Sequence, residues 1–170
     1  DKNFNLQLIV TGSHLAKKHG NTIKEIQKDK IHISERISIL KNSDSPMDIL
    51  SATSNAIVKI GSSLKKFSPE AIIILGDRFE SFGAATAAHI LGVKNIHIHG
   101  GETSLGAIDE KLRHAISQLS SYHFTSAEVH KKKVIELIGS SKNVYNVGPL
   151  VLDALLDLNI LSKKEFERLI

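Results

Sequence analysis

The sequence predicts an α/β fold with a parallel sheet flanked by helices, and three observations carry that prediction. Short apolar runs rich in β-branched residues alternate with longer helical stretches, the pattern of βαβ units. One run, Ala71 to Leu75 (AIIIL), is continuously apolar between Pro69 and Gly76, as expected of a strand covered on both faces. Polar, glycine-containing loops follow the strands, where open α/β sheets gather their ligands.

Taken in order, Leu6 to Val10 (LQLIV) is predicted as the first strand, ending at Thr11-Gly12. Residues 21–29 read as a short helix and Ile33 to Ile39 as an alternating strand. Ser45-Pro46-Met47-Asp48 is a helix start. Ser45 can accept a first-turn N–H, Pro46 suits the first helical position, and Asp48 lies three residues after the cap. That helix should run to about Lys66. After AIIIL, Phe79 to Leu91 is an Ala-rich helix closed by Gly92, and Val93 to Ile98 is the next strand. Asp109 to Leu119 reads as a helix and Tyr122 to Thr125 as a strand. Thr125-x-x-Glu128 reads as a capping box for a helix to about Ile138. Val144 to Val147 is the last strand before Gly148-Pro149, and Ser162-x-x-Glu165 caps a terminal helix. Crossovers should be right-handed. No internal repeat or low-complexity linker interrupts the pattern, so residues 1–170 read as a single domain.

Composition narrows the function classes. With 170 residues, 41% of them hydrophobic and 24% charged, the chain can bury a sizeable core. The formal charge of +4 suits an anionic small ligand. It is no nucleic-acid signature, because the lysine clusters (Lys17-Lys18, Lys65-Lys66, Lys131 to Lys133) lack interleaved aromatics and read as solvated surface. There is no cysteine, which excludes disulfides and thiolate metal sites. No apolar run reaches membrane-spanning length and no signal peptide is visible, so the expectation is a cytoplasmic protein without a membrane partner. The first residue is Asp1, so a fragment or processed form is expected.

The sheet rule points to four loops: Thr11-Gly12-Ser13-His14, Gly76-Asp77-Arg78-Phe79-Glu80, His97-Ile98-His99-Gly100-Gly101-Glu102, and Asn146-Val147-Gly148-Pro149. Asp77 can cap the following helix with Arg78 in a surface ion pair. Alternatively Asp77 is a general base and Arg78 a phosphate contact beside a helix N-terminus. His97 and His99 alternate along a strand. They could ligate a metal with Glu102 or Asp109, or simply be hydrogen-bonded at a crowded strand end. Gly100-Gly101 permits close approach of a ligand, or makes a plain turn. Asp109 and Glu110 open a helix where acids complement the macrodipole. Arg113, four and three residues on, could pair with either. His114 lies on a neighbouring face, and His123 and His130 have no spacing that singles them out.

Four blocks together go further. LQLIVTGSHL, LGDRFE, HIHGGETSLGAIDEKLRHAISQLSSYHF and NVGPLVLDAL, in that order over nearly the whole chain, resemble the hydrolysing UDP-N-acetylglucosamine 2-epimerases of sialic and legionaminic acid synthesis. The resemblance implies a Rossmann-like domain, the N-terminal half of a GT-B enzyme that holds a nucleotide sugar between two such domains. It implies elimination of UDP across C1–C2 of UDP-GlcNAc, then hydration to N-acetylmannosamine, with no metal and no redox cofactor. By position in the motifs, Asp77 and Asp109 are acid/base residues. His99 stands where many relatives carry a catalytic Glu, and Glu102 is the candidate to share that role. Arg78 contacts the nucleotide, while Gly100, Gly101 and Arg113 lie against the nucleotide sugar. Such a reaction needs a base for the C2 proton, charge or protonation for the departing phosphate, and an activated water.

The resemblance implies that this chain lacks the family's first strand, with its nucleotide-binding loop, and the family's second domain. A gap in the sheet and inactivity of the isolated chain are therefore expected. The resemblance also implies a homodimer, with the apolar tail around Val151 to Leu161 as a candidate contact. The alternatives are an epimerase of a diacetamido nucleotide sugar, a non-hydrolysing 2-epimerase, a nucleotide-sugar binding module without catalysis, and an H-x-H metallohydrolase.

Overall fold

Every strand pairing in the computed structural model, which describes residues 4–16, 18, 20, 22–41, 45–104 and 108–156, is parallel. β1 (Ile9–Thr11) pairs with β2 (Glu35–Ile37). β3 (Ala71–Leu75), β4 (Lys94–Ile98), β5 (Tyr122–Thr125) and β6 (Val144–Asn146) form a second sheet in sequence order. Among the described residues β1 and β3 are not hydrogen-bonded to each other, so the two sheets are separate. Between them run α1 (Ile23–Lys28), α2 (Pro46–Phe67), α3 (Phe79–Ile90), α4 (Asp109–Gln118) and α5 (Glu128–Ile138), with α6 (Leu150–Leu156) after β6.

α2 begins as its sequence predicts. Asp48 N donates to Ser45 Oγ at 3.2 Å, and Pro46 occupies the first turn. α3 lies close against it because Gly83 has no side chain. A Cβ there would fall 2.7 Å from the Ala56 methyl group. Ile37, Ile39, Ala56, Ile60, Leu64, Ala87 and Ala88 form one buried cluster, with Ile9 and Ile72 packed against it. The smaller sheet and the β3 side of the larger one thus share a core. A second cluster joins Ile74, Ala85 and Ile116.

Three expectations are corrected. AIIIL has only one face covered: Ile74 is buried, but Ile73 and Leu75 are 66% and 57% exposed, because no described element lies over that side. The first two strands are shorter than their apolar runs, since parallel pairing extends only from Ile9↔Glu35 to Thr11↔Ile37. Leu6 is exposed, while Ile39, beyond the ladder, is buried by packing alone. Thr125 does not cap α5. It ends β5, its hydroxyl donates to Tyr145 O at 3.3 Å, and Ala127 holds the N-cap position. The residues read as an apolar tail start with helix α6, in which Leu150, Val151, Leu152 and Leu155 are exposed. Residues 157–161 of that tail and the predicted cap at Ser162 lie outside the described residues. Among the described residues no helix is long and apolar enough to cross a membrane.

Candidate active site at the carboxyl ends of the strands

Parallel strands deliver all their carboxyl ends to one edge, and three of the four singled-out loops meet there. The loop after β1 touches the loop after β3 at Gly12, where a Cβ would lie 2.5 Å from Glu80 Oε1. Glu80 is buried at the start of α3 and accepts from Arg78 Nε at 2.7 Å, leaving the Arg78 side chain about half exposed at the rim. The fourth loop, after β6, is tied to β5 by Val147 N donating to Thr125 O at 3.0 Å. It makes no hydrogen bond to the other three loops among the described residues.

Asp77 is not a helix cap. Arg78 takes that position in α3, and the Asp77 carboxylate instead reaches across to α4. Its Oδ2 accepts from Arg113 Nη2 and, at 3.1 Å, from Ser104 Oγ. Arg113 is 6% exposed. Its Nη1 donates to His99 O at 2.7 Å and to Glu102 Oε2 at 3.4 Å, and its Nη2 also donates to Ser104 Oγ at 3.1 Å. The intrahelical pairing with Asp109 or Glu110 is therefore absent. Glu110 pairs with Lys133 on α5 at 3.3 Å. Both Arg113 Nη groups have internal partners, and the guanidinium joins Asp77 to the loop after β4. Asp109 stands at the first turn of α4, near enough to Arg78 to favour its charge.

The two histidines of the H-x-H pattern part company. β4 ends at Ile98, and His99 turns out of the strand with φ +64°. A non-glycine residue seldom adopts that conformation, and such strain clusters at functional sites. His99 Nδ1 lies 2.5 Å from Glu102 Oε1. His97 is fully buried between Ser117 Oγ (3.0 Å from Nδ1) and Gly76 O (2.8 Å from Nε2). A carbonyl can only accept, so Nε2 carries the proton and Nδ1 accepts from the Ser117 hydroxyl. Burial, partly opposed by the Gly76 bond, pushes the His97 pKa down to about 4, and the ring is neutral. With both nitrogens occupied, His97 does not act with His99 as a metal pair. His123, on the next strand, is also buried and its pKa lowered by desolvation.

Glu102 is the second junction. Burial favours its neutral form, but hydrogen bonds from Ser126 and His99 and the nearby charges of His99 and Arg113 outweigh burial. The carboxyl is held below its ordinary range. A carboxylate only accepts, so His99 Nδ1 carries the proton of that contact. Gly100 and Gly101 are both needed for packing. A Cβ on Gly100 would lie 3.0 Å from Ser117 Oγ, and one on Gly101, at φ +79°, would collide with His130 O.

Sequence reasoning missed Ser104, Ser126 and His130. Ser126 Oγ lies 2.5 Å from Glu102 Oε1 and 2.9 Å from His130 Nδ1. The four-residue step from Ser126 to His130 across the start of α5 was the available signal, but it has meaning only once Glu102 is known to face it.

A family model described as UDP-N-acetylglucosamine 2-epimerase matches residues 1–170. Over 99% of its length the chain is 36% identical to a Campylobacter jejuni protein named GDP/UDP-N,N'-diacetylbacillosamine 2-epimerase (hydrolyzing), covering 44% of that protein. It is 38% identical over 95% of its length to the Escherichia coli polysialic acid biosynthesis protein P7, covering 41% of it. A Legionella pneumophila UDP-N,N'-diacetylbacillosamine 2-epimerase (hydrolyzing) is 34% identical over 98% of the chain, with 44% of the relative covered. The chain thus spans less than half the length of these relatives. Among solved structures, a UDP-N-acetylglucosamine 2-epimerase superposes with a TM-score of 0.80 at 17% identity, covering 98% of this chain and 46% of the other. One from Neisseria meningitidis, bound to UDP-GlcNAc, gives 0.74 at 24%, covering 88% and 40%. At these identities the likeness establishes the fold, which is Rossmann-like.

Proposed function

The chain belongs to the UDP-N-acetylglucosamine 2-epimerase family, and from that premise we propose that it supplies the N-terminal Rossmann-like part of a hydrolysing nucleotide-sugar 2-epimerase of GT-B architecture. A base takes the C2 proton, the C1–O bond breaks, and UDP departs with its electron pair. The unsaturated sugar then regains a proton at C2 from the opposite face and a hydroxyl from water at C1. The product is the free 2-epimeric amino sugar, which from UDP-GlcNAc is N-acetylmannosamine.

The observation that carries this reading is the junction at Arg113, which holds Asp77, Glu102 and the His99 carbonyl around one buried guanidinium. Asp77 and Asp109 serve as acid/base groups. Asp77 is held in place by its ion pair with Arg113. Glu102 holds His99 Nδ1, an oriented arrangement suited to proton transfer at the other ring nitrogen. The exposed Arg78 reaches the diphosphate, and the turn at Gly100-Gly101 runs along the sugar. The separation of β1 from β3 leaves room in the reading for a further strand that joins the two sheets. The reading also includes a cytoplasmic homodimer, with Val151, Leu152 and Leu155 of α6 as a candidate contact.

Substrate choice has a second reading with its own support. Relatives at 36% and 34% identity are named for N,N'-diacetylbacillosamine, against 28% for one named a UDP-N-acetylglucosamine 2-epimerase. Both are tested together. A polypeptide of the relatives' full length carrying these residues is incubated with UDP-GlcNAc and, in parallel, with UDP-N,N'-diacetylbacillosamine. UDP release from either, falling by about a hundredfold or more in Asp77→Asn while binding persists, is the expected result. Binding of a nucleotide sugar with no UDP release from either would replace the enzyme by a binding module.

A further inference from the structure

We propose that Ser126 and His130, on the approach to α5 and in its first turn, are positioning residues that hold Glu102 and through it set the tautomer and orientation of the His99 ring. The inference rests on the reading of His99 as a proton-transfer group and deepens it.

The proton inventory gives the direction of every bond. Glu102 Oε1 is approached by His99 Nδ1 and Ser126 Oγ, each at 2.5 Å, and as a carboxylate oxygen it accepts from both. The Ser126 hydroxyl has one proton, and that proton points to Glu102. Its contact with His130 Nδ1 at 2.9 Å then requires His130 to donate. The chain of bonds runs from His130 to Ser126 to Glu102, with His99 converging from the other side. Polarisation along such a chain strengthens each bond.

The second carboxylate oxygen explains why this matters. Glu102 Oε2 sits 3.4 Å from Arg113 Nη1, a long contact for a charged pair. The bonds on Oε1 keep the carboxylate turned away from the guanidinium. Without Ser126 the carboxylate would be free to close on Arg113, leaving His99 Nδ1 unpaired and its ring free to flip or change tautomer. Backbone packing supports the arrangement independently. Gly101 lies so close to His130 O that no side chain fits between them, so the loop after β4 is seated on α5 by the same residue whose ring completes the chain. A hydrogen bond to a charged group carries enough energy for its loss to matter in rate.

The experiment uses the full-length polypeptide described above. Ser126→Ala and His130→Leu are expected to lower kcat about tenfold or more with KM changed less than about twofold. Ser126→Thr keeps the hydroxyl, and His130→Asn places an amide donor near the Nδ1 position, so both should recover most of the loss. A purely structural role would instead lower melting temperature in step with activity and would not follow this donor-by-donor rescue. That pattern, or full kcat in Ser126→Ala, overturns the proposal. Ring-nitrogen NMR separates its failure from failure of the functional reading. Even if no nucleotide sugar turns over, His99 should carry its proton on Nδ1 in the unmodified protein and show mixed tautomers in Ser126→Ala. An unchanged His99 ring in that variant overturns the proposal by itself.

Discussion

Arg113 shows how much depends on where one cation is aimed. Its sequence position suggested partners one turn back on its own helix, and spacing could not reveal that Asp77, 36 residues earlier, would arrive at the same point. Removing it leaves two carboxylates without their shared cation in a largely buried setting, and Arg113→Met is expected to cost about 3 kcal/mol of folding stability. Urea unfolding measures this; a loss below about 1 kcal/mol would mean that water screens the junction. His97 makes a separate prediction. Its folded pKa of about 4 lies below its ordinary 6.5, so between those values the unfolded chain binds more protons. Stability should fall as pH drops from about 6.5 toward 4, by on the order of 3 kcal/mol for this group. His97→Gln should flatten the dependence of urea midpoints on pH. Parallel curves for the two proteins would contradict a neutral buried ring.

At the scale of elements, legibility followed the locality of the cause. Ala71–Leu75 and Tyr122–Thr125 form where read, and α2 starts at the predicted Ser45 cap, because short-range chemistry decides them. The ends of β1 and β2 depend on a partner strand far along the chain, and Thr125 is claimed by β6 before it can cap α5. The α2–α3 contact was not legible at all, since it turns on one missing side chain. Gly83→Ala would force a methyl into a 2.7 Å approach to Ala56 and is expected to destabilise by about 1–3 kcal/mol. A thermal melt that is unchanged or raised would show that the helices can separate without penalty.

For the whole molecule, the edge that carries the site was legible, because parallel strands must end together and their loops could be named before their contacts. The sheet face left bare among the described residues was not. Ile73, Leu75, Ile96, Ile98, Phe124 and Tyr145 line one side by register, and periodicity within each strand gave no sign that no described element would lie over it. Exposed apolar area of this kind favours association, so the 170-residue chain alone should scatter light at concentrations where an Ile73→Lys, Leu75→Glu variant stays clear. Equal scattering by both would place the sticky surface elsewhere.

The central proposal is that this strand edge exchanges a proton with C2 of a nucleotide sugar. The most direct measurement is proton NMR of the reaction in D2O, with the full-length polypeptide and its Asp77→Asn variant. The expected products are UDP and a 2-epimeric sugar deuterated at C2, both lost in the variant. A product that keeps its original C2 proton would mean UDP is removed without elimination, and undiminished turnover in the variant would take Asp77 out of the chemistry.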